Sequence, residues 1–207
     1  GDKELEEAYL MNPRAGNRTS WMGSRNPIFL SQPLENGGKI GFGAMGGLGV
    51  YAFDLSDPAK PRMLSGVNTA PSFAGTEFDN ADVSQYARTG YVFANGYPMN
   101  RDCYEPYKDS CVIDARDPSH LKVAAKMPQP EVPAGAPFTS FCQRGGNFGP
   151  KRANAIGQPG QWRQGIVPYS FYNAGVQIFN VEDPAKPTIA GYFVPALADE
   201  SELPVYT

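Results

Sequence analysis

The chain has 207 residues, long enough to bury a sizeable core. Glycine (23) and proline (20) are plentiful and charged residues make up only 19%, which suits short strands with many turns and argues against a helical protein. The net charge is −3 with no basic tract, which argues against a nucleic acid or anionic membrane partner, and no run of 18 apolar residues is present to span a bilayer.

Residues 1–38 read as an N-terminal arm. An acidic, helix-tolerant run from Asp2 to Leu10 ends at Pro13 and Gly16, and the opening Gly-Asp-Lys-Glu is that of a mature, processed or trimmed chain. Asn17-Arg18-Thr19 forms a glycosylation sequon, a weak signal on its own. Pro27–Leu30 is expected to be an inner strand.

Residues 39–70 carry the first clear unit. Lys39–Ala44 is a predicted strand, Gly46-Gly47 a hairpin link, and Val50–Leu55 a second strand. Both faces of that second strand are apolar, so it is expected to be packed on both sides. Asp57-Pro58 then makes a turn, with Asp bonding its own backbone two residues on and Pro setting φ, before Pro61 returns the chain to an extended run at Met63-Leu64.

Residues 76–128 repeat this plan, with strands at Phe78–Val83, Tyr91–Ala94, Cys111–Asp114 and Val123–Ala125 and a turn at Asp117-Pro118. Residues 138–195 repeat it again, with strands at Ile166–Tyr172, Gly175–Asn180 and Ile189-Ala190 and a turn at Asp183-Pro184. Residues 196–207 form a tail. Asp54 and Asp114 lie 60 residues apart, Asp114 and Asn180 66 apart. Antiparallel units recurring at such a period predict an all-β chain folded as a β-propeller, here three four-stranded blades. Propellers close with about 4–8 blades, so the ring is expected to be completed by another chain or by a further segment.

The unit Gly49-Val50-Tyr51-Ala52-Phe53-Asp54-Leu55-Ser56-Asp57-Pro58-Ala59-Lys60-Pro61 resembles the hallmark strand and turn of the LVIVD-repeat propeller family, and the copy at Gly175–Pro187 is nearly as close. The middle copy departs, with Asp109-Ser110 at its opening and Leu121 in place of the second Pro. The resemblance spans roughly residues 39–195 and implies a propeller of a secreted, periplasmic or surface protein. In that family a Gly-Gly-x-Phe-Gly-Pro-His-Asn stretch leads into an inner strand. Here Lys151 and Arg152 follow Pro150 in place of that His, so the family's His-based metal site does not carry over.

The site is expected at the mouth of the central channel. Asp79 and Asn80 lie on the predicted inner strand of the second unit, where polar residues suit a ligand or a hard cation such as calcium. Arg101 and Tyr104 lie in the insertion Gly96–Asp109, a proline-stiffened aromatic loop able to stack on a flat ligand. Arg144 and Arg152 are suited to holding a carboxylate or phosphate, or to pairing, with Lys151, with the acidic residues of the second unit. The bland readings are channel solvation for the first pair and edge cover for the loop. Cys103 and Cys111 bracket a short loop and form the first candidate disulfide, against three free thiols or a Cys103–Cys142 bond. With one histidine, His120, and no Cys-x-x-Cys, a catalytic triad or multi-His zinc site is not supported.

These features favour a binding or scaffold module with a ligand site at the channel mouth. The alternatives are a hydrolase or lyase acting there on an anionic or aromatic small molecule, and a structural subunit docked through the arm.

Overall fold

The computed structural model describes residues 39–69, 78–98, 103–104, 106–153 and 165–196, with the backbone alone at Arg152. Over these residues the chain is all-β, in three antiparallel sheets, none of them closed. Sheet one is β1 (Ile40–Ala44), β2 (Val50–Asp54) and β3 (Arg62–Val67). Sheet two is β4 (Phe78–Asp82), β5 (Tyr91–Gly96), β6 (Ser110–Asp114) and β7 (Lys122–Lys126). Sheet three is β8 (Phe148–Ala153), β9 (Ile166–Tyr172), β10 (Val176–Asn180) and β11 (Thr188–Phe193). Strands follow one another in chain order within each sheet, so every sheet is a meander of the expected kind. The strand expected at Pro27–Leu30 lies outside the described residues. Two short helical pieces were not anticipated: α1 (Tyr86–Thr89), closed by Gly90 at φ 73°, and a 3-10 turn at Phe141–Arg144.

The repeat is physical as well as textual. In every sheet the strand bearing Asp54, Asp114 or Asn180 has a bulge against the next strand, at Ala52/Phe53, Val112/Ile113 and Ile178/Phe179. Each strand end is closed by its own side chain: Asp54, Asp114 and Asn180 accept the N–H of Ser56, Arg116 and Glu182 at 2.9, 3.1 and 2.8 Å. The Asp-Pro aspartates do the same three residues later, accepting from Ala59, Ser119 and Ala185 at 3.1, 2.9 and 3.0 Å. Turn chemistry therefore accounts for these aspartates. The first set of turns was not foreseen.

Strand parity sends alternate residues to opposite faces, and both faces of sheet two are buried. Val92, Ala94, Cys111 and Ile113 face sheet one, where Phe42, Ala44, Val50 and Ala52 complete one apolar cluster. Phe93, Val112 and Met127 face sheet three, joining Val167, Tyr169, Phe171 and Phe179. Two-sided apolar strands thus mean what they were expected to mean. Polar stitches cross both seams. Ser65 Oγ donates to the Pro118 carbonyl at 2.8 Å, and the Gln85 amide bonds the Ile166 carbonyl and the Gly165 N–H.

The disulfide is Cys103–Cys142, with Cα atoms 5.8 Å apart, and not Cys103–Cys111. Closeness in sequence misled, because strand direction decides where a thiol points. Cys111 sits on β6 with its side chain turned into the seam with sheet one, fully buried and free, while Cys103 lies in the loop beyond β5. The bond instead ties that loop to the 3-10 turn before β8.

Candidate functional site

Two edge strands, β4 and β8, meet where sheets two and three adjoin. β4 carries a bulge between Phe78 and Asn80. Without it Phe78 and Asn80 would share a face. With it Phe78 packs toward sheet one while Asn80 stands opposite Asn95, on the side of Phe93 and sheet three. Asp79 is left at the bulge, where its carboxylate lies 3.6 Å from the Lys151 ammonium of β8.

The pair is asymmetric in its burial. The Asp79 side chain is only 4% exposed and that of Lys151 28%. The same ammonium lies 4.0 Å from the centroid of the Tyr97 ring, a cation–π contact just beyond β5. The Tyr97 ring in turn packs edge-on to Tyr172 at 6.1 Å. Asn95 secures the backbone beneath: its amide donates to the Lys151 carbonyl at 3.1 Å and to that of Gly96 at 2.7 Å. Asn147 donates to the Pro98 carbonyl at 3.0 Å.

Several polar atoms here lack a hydrogen-bond partner among the described residues: Asp79 Oδ2, Asn80 Nδ2, Asn95 Oδ1 and Ser110 Oγ. Asn80, Asn95 and Ser110 are successive cross-strand neighbours, so they form one row on the same face of sheet two. A buried polar group left unpaired costs on the order of 1–3 kcal/mol, so such a row is suited to receiving a hydrogen-bonding guest.

Of the residues expected at the mouth, Asp79 and Asn80 lie together, and Lys151 joins them as one of the two anticipated outcomes for the basic cluster. Arg144 does different work. Its guanidinium donates to the Pro195 carbonyl at 2.7 Å and covers the Phe138 ring at 5.0 Å, and burial lowers its proton affinity. It therefore fastens the segment after β11 to the 3-10 turn. Tyr104 is exposed, next to the disulfide. Arg101 and the Arg152 side chain lie outside the described residues. Tyr97 and Asn95 were missed: one aromatic among the three of the insertion and one Asn inside a strand carry no distinguishing local pattern.

Among the described residues no three His, Cys, Asp or Glu side chains gather as a metal site. Asp82, the other β4 carboxylate, accepts the Ser84 N–H at 2.7 Å, and burial pushes its proton affinity up. A concavity of about 400 Å³ opens away from this site, at the Asp-Pro end, lined by Gln85, Tyr91, Phe93 and Glu182 among others. The Gln85 amide there is already engaged with the backbone of sheet three. No helix among the described residues is long and apolar enough to cross a membrane. No protein-family model matches the chain, and no curated protein matches it.

Proposed function

We propose that the three sheets are blades of a β-propeller of the LVIVD-repeat kind, and that the protein is a binding module of the secreted or periplasmic space with its ligand site at the channel mouth. The observation that carries the site is the buried Asp79–Lys151 pair beside the unpaired Asn80 amide. An acceptor, a donor and an ammonium on an aromatic ring converge there, a set suited to a small polar molecule bearing both a hydrogen-bond donor and an anionic or carbonyl oxygen. The Cys103–Cys142 bond supports an oxidising compartment.

The test is a thermal-shift screen of the whole chain against small carboxylic acids, amides and sugars, with binding of any hit measured by calorimetry. Asp79→Asn and Lys151→Met are expected to weaken a genuine mouth ligand at least about tenfold, whereas Tyr104→Ala leaves it within about twofold. A hit unaffected by either mouth substitution rules the site out. A hit that is converted to product makes the protein the hydrolase or lyase instead.

A further inference from the structure

Four side chains in the seam between sheets two and three keep a polar atom without a partner among the described residues, although almost no solvent reaches them. Asn80, Asn95 and Ser110 are 6%, 0% and 1% exposed, and Tyr169 of β9 is 1% exposed. The unpaired atoms are Asn80 Nδ2, Asn95 Oδ1, Ser110 Oγ and the Tyr169 hydroxyl. Cross-strand pairing sets the first three side by side, Asn80 opposite Asn95 and Asn95 opposite Ser110. Strand parity turns all three toward sheet three, because Ala81, Ala94 and Cys111 beside them pack toward sheet one. Tyr169 comes from the facing sheet, in the same cluster as Phe93 and Val112. Burial first, and then Asp82, Cys111 and Tyr107, push its phenol well above the ordinary tyrosine range. Asp82 ends β4 and Cys111 is next to Ser110 on β6, so the hydroxyl stands over β5, between the strands that carry Asn80 and Ser110.

The chemistry of these atoms selects what can join them. The Asn95 amide is fixed in orientation, since its nitrogen already donates to the carbonyls of Gly96 and Lys151, and a carbonyl can only accept. Its unpaired oxygen therefore needs a donor. The Asn80 nitrogen needs an acceptor, and the Ser110 and Tyr169 hydroxyls can serve as either. A cation has no use for the Asn80 N–H, and an anion is repelled by the Asn95 oxygen. A neutral molecule that accepts two hydrogen bonds and donates two answers all four, and the burial limits it to the size of one small molecule.

We infer that the seam between sheets two and three binds one resident water, which accepts from Asn80 and Tyr169 and donates to Asn95 and Ser110. Leaving four buried polar atoms unpaired costs more than immobilising a water, and waters held inside proteins serve groups of this kind. The bound water joins sheet two to sheet three through Tyr169, beneath the Asp79–Lys151 pair. Asn80 has two amide N–H bonds, so it can hold the water and still offer one to a ligand at the mouth. The water is read without any ligand, so this inference and the mouth reading can fail separately.

Ser110→Ala and Tyr169→Phe test it, because the sign of their effect depends on the water. Removing a hydroxyl that has no partner stabilises a fold or leaves it unchanged, whereas removing one bonded to a bound water destabilises it. Each substitution in the full chain is expected to lower the melting temperature by about 2–4 °C, with circular dichroism unchanged. The double variant is expected to fall by less than the sum of the two, since both lose the same water. Oxygen-17 relaxation dispersion of the solvent, which counts long-lived internal waters, is expected to show about one fewer in the double variant than in the unaltered protein. A melting temperature unchanged or raised by either single substitution overturns the inference. So do fully additive losses, which place the two hydroxyls on separate partners, and so does an unchanged water count.

Discussion

A side chain closing its own strand is the smallest unit of order in this molecule, and it has a pH signature. Asp54 is held down to about 2 from an ordinary 3.8, first by hydrogen bonds from Ser56 and then by Arg62. Asp114 and Asp117 are lowered likewise, chiefly by Arg116 and His120. A carboxylate whose proton affinity falls on folding adds stability above its unfolded value, and that stability is lost as pH drops through the folded one. Asp82 runs the other way: burial raises it, so its charge opposes folding once pH climbs above the ordinary carboxylate range. Asp82→Asn is therefore expected to raise the melting temperature at about pH 7 and to leave it little changed at about pH 3. Asp54→Asn should flatten the loss of stability between about pH 4 and pH 2. An Asp82→Asn melting temperature equal to wild type at about pH 7, or an Asp54→Asn loss of stability equal to wild type between about pH 4 and pH 2, would refute the respective assignment. Glycine matters where the repeats open. Gly49 and Gly175 open their repeats at φ 108° and 68°, and a Cβ would lie 2.2 and 2.1 Å from the carbonyls of Val67 and Phe193. Gly175→Ala is expected to cost about 1–3 kcal/mol in urea unfolding.

At the scale of elements, the seams and the disulfide hold sheet to sheet. Phe93 is 1% exposed between sheets two and three, so Phe93→Ala is expected to cost about 3–5 kcal/mol. Cys103 and Cys142 are 39 residues apart, and cross-linking a loop of that length stabilises a fold by about 2–4 kcal/mol. Reduction should lower the melting temperature accordingly, and Cys103→Ala/Cys142→Ala should melt where the reduced protein does. Cys111 should stay unreactive to an alkylating reagent until the chain unfolds, since it is fully buried and burial pushes its thiol up to about 12. Rapid native-state alkylation at Cys111 would show that the seam between sheets one and two opens.

For the whole molecule, stability is shared between neighbours, because each sheet touches the next along the chain and sheet two touches both. A chain stopped after Lys126 would uncover Phe93 and Val112. It is expected to melt lower than the full chain and to bind a hydrophobic dye, and a truncated chain of unchanged melting temperature and no dye binding would contradict that sharing.

The strands and turns were legible in the sequence because their causes are local. Alternation read over five residues, a Gly-rich link, and an Asp whose oxygen reaches the second N–H ahead all act within a few bonds of one another. The Val50–Leu55 run also announced its two covered faces, since no half-wet strand is apolar on both. The candidate site was half legible. Asp79 and Asn80 stood out as polar residues on an inner strand, but the bulge that separates Phe78 from Asn80, and so decides where Asp79 reaches, depends on pairing with β5. Lys151 reaches Asp79 across 72 residues of chain, and Arg144, equally basic, turns away to Pro195. The cysteines show the same division. Spacing in the chain favoured Cys111 as the partner of Cys103, yet β6 points its thiol into the seam. Side-chain type and local geometry determine which elements form. Which side chains meet is decided by strand parity, bulges and the stacking of one sheet on the next, and those come into being only when distant segments pack.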